Sequence, residues 1–492
     1  MSGCTPAISA SPDQAVPQAE IITIAPLTRT GGEYKLSVEV TAGAVTEAQL
    51  GSGSWLPIEH ALKGRDPRVA AQFTQRLEGR SDVAQAVAAC MALEQACRAS
   101  VPGSARALRN LMQASAMILA NLTHFYQQAL PDYVQGPDSA PYVPRYAHSD
   151  LRLGPDESAA LAAEAVTALA QVRACREMIA LLGGRSPQPQ DIVAGGVSRV
   201  PSRETLLAFL ERLRSVRVFV EKTYLPRVYM LASAYKDKLF SFGQGYKGAI
   251  SAGALPLTDN RVQQVFKRGV YSGGKDAPMD ARQIKTFLRY ARFDTTDTGQ
   301  NFRDGESRPQ PEKKDAYSFV KAARYQGLPL ETGSLPRMWI TNPELSPAGR
   351  QLSRQYFGLN ARFFRDFGEA VAFSLMGRHI ARAEESFYVL SFMERWLQEA
   401  VPGQATFIPP VLPEAGEGIG LTETPQGMLL HYLRIIDGVI ARYQVISPQM
   451  WNASPKDDLG QRGVIEQALI GAPVPDITNP VNLGRLVRSF AL

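Results

Sequence analysis

The stretch RNLMQASAMILANLTHFYQQAL, residues 109–130, constrains the fold more than any other part of the chain. Apolar and small residues recur around it at helical spacing, so a helix built from it has no broad face suited to water. Such a helix is buried, and the rest of the chain has to wrap it. The 492 residues are enough for a large core and for one to about three domains. An apolar fraction of 45% with 20% charged residues belongs to a soluble globular protein rather than a disordered one.

Charge narrows the function classes. The 53 basic and 47 acidic residues leave a net charge of +6, spread thinly over the length. No basic run interleaves with aromatics, so nucleic acid is not an expected partner. Apolar stretches such as MIALL and YVLSF are interrupted by charge, far short of the ~20 residues of a membrane span. The opening MSGCTPAISASPDQAVPQAE has neither a basic head nor an apolar centre, so it does not read as a secretory signal. The expected compartment is the cytoplasm, or the periplasmic or membrane-associated space if a signal-bearing partner carries the chain out.

Cys4, Cys90, Cys97 and Cys175 form no C-x-x-C pair. His60, His124, His148, His379 and His431 are all more than four residues apart, so no self-contained zinc or iron site of ordinary spacing is visible. Val83, Ala86, Val87, Cys90, Leu93 and Cys97 share one helical face, which makes the two cysteines core residues.

Along the chain, residues 1–19 read as a disordered arm and 20–492 as one domain. IITIAPLT at 21–28, then KLSVEV and AVTEAQL, alternate like the strands of a small sheet. Helices are predicted from about 66, then over 104–130, 156–183, 203–237 and 347–399. Residues 238–345 read as irregular, with a polar surface insertion over 296–316. Asp437-Gly438 between two apolar runs marks a hairpin. The predicted fold class is mainly α with peripheral β (α+β): a helical core, a small N-terminal sheet and a C-terminal hairpin.

Several blocks, in this order, resemble the large subunit of [NiFe] hydrogenases, particularly the uptake type. They include PLTRTGGEYKLSVEV, KGRDPRVAAQFTQRLEG, GGRSPQPQDIVAGGV, VKAARYQGLPLETGSLPRM, GEGIGLTETPQGMLLHYLRIIDGVIARYQVISPQMWNASPKD and IEQALIGAPVPDITNPVNLGRLVRSF. The resemblance spans about residues 20–490 and implies that family's fold.

It also implies where the family's chemistry lies. Two C-x-x-C pairs there hold nickel and iron, soft thiolates being strong donors able to bridge two metals. The first pair sits in an R-x-C-G-x-C frame followed by a histidine. Here that frame reads Arg76-Leu77-Glu78-Gly79-Arg80-Ser81, with Gln85 in the histidine's place. The second pair follows R-S-F, and here Arg488-Ser489-Phe490 is followed only by Ala491 and Leu492. Glu78 and Ser81 thus stand at former nickel–iron ligand positions. Gly31 stands where the family has a proton-relay glutamate, and Gln426 where an arginine overhangs the site. Ala120 lies where a carboxylate is replaced by small residues. Glu59 matches a magnesium ligand, a possible remnant of that site.

Carboxylate and hydroxyl are hard donors, so the expectation from these departures is a degenerate member of the family. Ser81 and Asp82 then read as helix caps, with Asp82 and Gln85 forming a capping-box-like pair. Arg76, Glu78, Arg80 and Asp82 read as an ion-pair network filling the pocket. The expected function is a non-catalytic, large-subunit-like component of a redox complex, with no catalytic residue, metal or cofactor of its own. Its expected partner is a small-subunit-like protein carrying iron–sulfur clusters, in a heteromer. A maturation or assembly accessory protein is the alternative, and a hydrogenase oxidising H2 the second alternative.

Overall fold

The computed structural model describes residues 19–145, 150–259, 262–490 and 492. All of the predicted arm except Ala19 therefore lies outside the described residues. Three N-terminal strands, β1 (Glu20–Ile24), β2 (Tyr34–Thr41) and β3 (Ala44–Ser52), pair antiparallel in chain order. Along β2, Tyr34, Leu36, Val38 and Val40 point to the core while Lys35 and Glu39 stay exposed, the alternation of a half-buried strand. Ala42 and Gly43 join β2 to β3 with φ of 52° and 75°, both in the left-handed region that a tight hairpin turn of this twist requires.

The helical core begins with α1 (Asp82–Ala96), α2 (Gly103–Thr123), α3 (Pro155–Gly183), α4 (Arg203–Phe219) and α5 (Leu225–Ala234). Helix α2 is buried along nearly its whole length, as its sequence requires. It runs into a wider π turn, His124–Ala129, and a second such turn, Val220–Tyr224, joins α4 to α5. The predicted helices 104–130 and 203–237 therefore each contain a change of pitch.

The expectation of irregular structure over 238–345 is corrected. Strands β4 (Ala249–Pro256), β5 (Gln264–Ser272) and β6 (Lys275–Ala277) form one sheet. Strands β7 (Ile284–Phe287), β8 (Gln300–Asn301) and β9 (Ala322–Tyr325) form another, and α6 (Ser334–Thr341) follows. The physical reason is burial on both faces. AISAGALP of β4 is buried from Ala249 through Leu255, so no polar alternation reveals the strand.

The predicted helix 347–399 is also interrupted. Helix α7 (Pro347–Phe357) ends at Gly358 with φ 69°, a left-handed cap. Helix α8 (Leu375–Glu399) starts afresh where the Ser374 hydroxyl accepts the Gly377 N–H at 3.1 Å. Next come β10 (Gly416–Thr424), β11 (Gly427–Ile436) and β12 (Val439–Ile446), then α9 (Val464–Leu469) and α10 (Val481–Ser489). Asp437 and Gly438 turn β11 into β12 with φ of 52° and 72°, as the dipeptide predicts.

Helix α1 lies directly on β10. A Cβ added at Gly418 or Gly420 would overlap the backbone carbonyls of Ala92 and Ala88, so these two glycines permit the close approach. Behind them Arg337, fully buried, bridges Glu385 at 2.6 Å and Glu423 at 2.7 Å. Asn121 of α2 donates to Glu385 at 3.0 Å. One polar knot thus ties α2, α6, α8 and β10 together.

Candidate functional site

Residues 75–81 form the turn into α1, and the two oxygen-bearing side chains there meet each other. Ser81 Oγ donates to Glu78 Oε2 at 2.9 Å, whereas Glu78 Oε1 is buried with no hydrogen-bond partner among the described residues. Ser81 occupies the N-cap position but its hydroxyl makes no cap bond. Asp82 instead accepts the Gln188 N–H, with burial pushing its carboxyl above the usual range.

Gln85, 1% exposed, turns inward too. Its Oε1 accepts from His431 Nε2 at 2.8 Å, and His431 Nδ1 accepts from the Tyr443 hydroxyl at 2.7 Å. Burial holds His431 down at about 3, so the ring is neutral and the direction of both bonds follows. The expected capping box at Asp82 and Gln85 is therefore corrected, because each side chain has a long-range partner that satisfies it better.

The expected ion-pair network is corrected as well. Arg76 is exposed, and its guanidinium donates to the Gln72 carbonyl of its own turn. Arg80 makes no salt bridge among the described residues. Its guanidinium lies over Gly31, where a Cβ would overlap it, and Nη2 is buried and unpartnered. The Gly31 N–H in turn donates to the Leu492 carbonyl at 2.7 Å.

Gly31, Glu78, Gln85 and Glu59 line one cavity of about 230 Å³, with Tyr34, Trp55, Phe293 and Phe319 among its walls. Ser81 touches that cavity only through Glu78. Gln426 does not line it: buried in the turn between β10 and β11, it accepts from Thr424 Oγ1 at 3.2 Å. Ala120 is likewise buried, in α2.

At the cavity's other end Glu59 Oε1 accepts the Val445 N–H at 3.0 Å, and Oε2 accepts from the Ser307 hydroxyl. Lys321 Nζ stands 3.8 Å from the same carboxylate. Sequence reasoning missed Lys321, since nothing in VKAARY distinguishes it from a surface lysine.

Deeper in, the His124 and His379 rings lie 5.4 Å apart. His124 Nε2 donates to the Arg488 carbonyl at 2.7 Å. Burial, then the charges of Arg382 and Arg378, holds His379 at about 3. Both histidines are thus neutral polar groups in the core.

The donor set can be tested against a nickel–iron group. Among the described residues no three His, Cys, Asp or Glu side chains gather into a metal-holding set. Cys90 and Cys175 are buried in helices α1 and α3, and no cysteine lines the cavity. What faces the cavity is carboxylate and amide oxygen, hard donors of the kind that suit magnesium or water rather than nickel. The described residues do not fit a thiolate-held centre.

Set against known proteins, the chain matches the nickel-dependent hydrogenase family over residues 57–138 and 127–491. The chain belongs to that family. It is 44% identical over 478 residues to the periplasmic [NiFeSe] hydrogenase large subunit of Desulfomicrobium baculatum, covering 95% of this chain and 93% of the relative. To the uptake hydrogenase large subunit of Rhizobium leguminosarum bv. viciae it is 25% identical, with the same two shares covered. Among solved structures, the Ni-Fe-Se hydrogenase of D. vulgaris Hildenborough in the reduced state superposes with a TM-score of 0.95 at 46% identity. It covers 96% of this chain and 98% of that one. A reduced, active form of the Desulfomicrobium baculatum enzyme superposes at 0.94 with 43% identity, covering 96% of this chain and 98% of that one. The α+β fold predicted from the family resemblance is therefore the observed one.

These findings correct the functional expectations. The reading as a non-catalytic component with its nickel site lost and no cofactor of its own is overturned. Chains this similar over nearly their full length are [NiFeSe] hydrogenase large subunits, and one matched structure is an active enzyme. That reading rested on Glu78, Ser81, Gly31, Gln85 and Gln426 and on the pair expected after Arg488-Ser489-Phe490, and the chain-long likeness overturns it. Among the uptake and [NiFeSe] relatives compared, the likeness is greater to the [NiFeSe] type. No described helix is long and apolar enough to cross a membrane, and the cytoplasmic expectation gains no support from a periplasmic relative.

Proposed function

We propose that this chain is the large subunit of a [NiFeSe]-type hydrogenase, acting on molecular hydrogen beside an iron–sulfur small subunit in the periplasm. The observation that carries this reading is the likeness to such subunits, 44–46% identical across some 95% of the chain. In this reading Glu78 and Ser81 stand where the family's first thiolate pair stands, Gly31 and Gln85 line the cavity beside it, Gln426 matches a family position outside that lining, and Glu59 matches a magnesium ligand.

A nickel–iron group, where bound, supplies the hydrogen-splitting chemistry of such enzymes. The oxygen donors of this loop do not fit that group. This chain's own residues place protons. Ser81 holds one toward Glu78 at 2.9 Å, and Tyr443 and His431 pass two hydrogen bonds in line to Gln85.

The test is to copurify the chain with its partner and measure hydrogen-dependent dye reduction together with nickel and iron content. Dye reduction accompanied by nickel supports the proposal. Iron alone, with no hydrogen-dependent reduction, overturns it.

A further inference from the structure

A cavity of about 540 Å³, separate in its lining from the one that Glu78 lines, opens between the N-terminal segment and α10. That volume lies within the ~300–1,000 Å³ of ordinary small-molecule pockets. Its floor is charged and almost fully enclosed. Arg29 Nη2 stands 2.5 Å from Asp132 Oδ1, and Arg488 Nη2 stands 2.6 Å from Asp132 Oδ2. Side-chain exposure is 13%, 6% and 5% for Arg29, Asp132 and Arg488, so little solvent screens the group.

Two guanidiniums sharing one carboxylate leave a surplus positive charge. Their remaining bonds, from Arg29 Nη1 to the Gln128 carbonyl and from Arg488 Nη1 to the Thr28 carbonyl, fix both heads in place without cancelling it. Arg29 Nε makes no hydrogen bond among the described residues. The walls have the opposite character: Ile24, Leu27, Val134 and Val481 line them. Arg145 stands at the rim, paired with the exposed Asp138.

We propose that this cavity is a binding site for a small apolar monocarboxylate, its carboxylate group on Arg29 and Arg488 and its apolar body along Ile24, Leu27, Val134 and Val481. The single surplus charge matches one carboxylate. A cation meets two buried arginines, and a neutral ligand leaves the surplus uncompensated at an enclosed floor. Guanidinium is the side chain best shaped to hold a carboxylate. The site is independent of hydrogen chemistry and stands or falls apart from it.

The experiment is calorimetric titration of the copurified complex with benzoate and with its neutral isostere benzamide. Benzoate is expected to bind one per chain and at least about tenfold more tightly than benzamide. Val481→Trp, which fills the cavity, and Leu151→Trp at its mouth are each expected to remove benzoate binding. Arg145→Glu is expected to weaken it several-fold while leaving the buried triad intact. Two filling variants guard against one failing to fold. Equal binding of benzoate and benzamide, no binding of either, or binding that survives a folded filling variant overturns the proposal.

Discussion

Gly31 and Arg80 are a matched pair: the guanidinium of Arg80 occupies the space that a side chain on residue 31 would need. The loop of residues 75–81 therefore packs against β2's approach through a side chain and a missing one. Gly31→Ala is expected to destabilise the chain by no more than about 1 kcal/mol, because the inserted methyl displaces only the far end of the flexible Arg80 side chain. Arg80→Ala removes the obstacle, so the two changes should couple by about 0.5–1 kcal/mol in a double-mutant cycle of denaturant unfolding. Additive effects would show that Arg80 does not fill that space in solution.

Glu384 gives a pH dependence with a definite sign. Its Oε1 accepts from the Tyr229 and Ser346 hydroxyls, and its Oε2 accepts the Ser346 N–H. Burial nevertheless pushes its carboxyl up to about 7 from an ordinary 4.5. The native state thus keeps a proton that the unfolded chain gives up. The stability linked to that proton is fully present below about pH 4.5 and is lost as pH rises to about 7, roughly 3 kcal/mol in all. Glu384→Gln retains a donor and an acceptor but cannot titrate. Its stability should fall less between pH 5 and 7 than that of the parent, measured by urea unfolding on the copurified complex. Parallel pH profiles would show that Glu384 is not the group responsible. Glu466, also held near 7 by burial, titrates in the same direction in both proteins and does not distinguish them.

How far the sequence could be read depended on where each partner lay. The β11–β12 hairpin was legible because Asp437-Gly438 carries its own turn chemistry. The buried helix α2 was legible because apolar residues surround it. Strand β4 was not, since AISAGALP is covered on both faces and built from small residues. At the site, the loop residues were found through family resemblance, but their bonds were hidden: Gln85 and His431 are separated by 346 positions in the chain. A capping box looked sufficient for Gln85 only because no local pattern could reveal His431. Function was misread for a different reason: departures at a handful of positions, Gly31, Glu78, Ser81, Gln85 and Gln426 among them, weigh less than a likeness carried by the whole chain.

The loop chemistry can be changed directly. Replacing Glu78 and Ser81 together by cysteine supplies two soft donors where a hydrogen-bonded carboxylate–hydroxyl pair now stands. Thiolates bind nickel far better than these oxygens do, so the Glu78→Cys/Ser81→Cys complex is expected to retain nickel about tenfold better against a chelator. Elemental analysis after dialysis reads this out. Equal nickel retention in both proteins would show that positions 78 and 81 do not govern metal binding.

Lys321 and Glu59 supply the last test. The lysine ammonium, 3.8 Å from Glu59 and only 10% exposed, stands where an external cation would otherwise be needed to neutralise the carboxylate. Lys321 also donates to the Ser307 hydroxyl and faces the Phe293 ring at 5.3 Å, so its charge is held by three contacts. Lys321→Met keeps most of the apolar stem and removes the charge. Leaving Glu59 buried without its cation is expected to cost about 3 kcal/mol. The variant should then gain thermal stability on addition of magnesium, a hard cation suited to carboxylate oxygen, whereas the parent protein should respond little. Thermal unfolding with and without magnesium decides the matter. A parent protein that gains as much as the variant would mean that Lys321 does not take the cation's place beside Glu59.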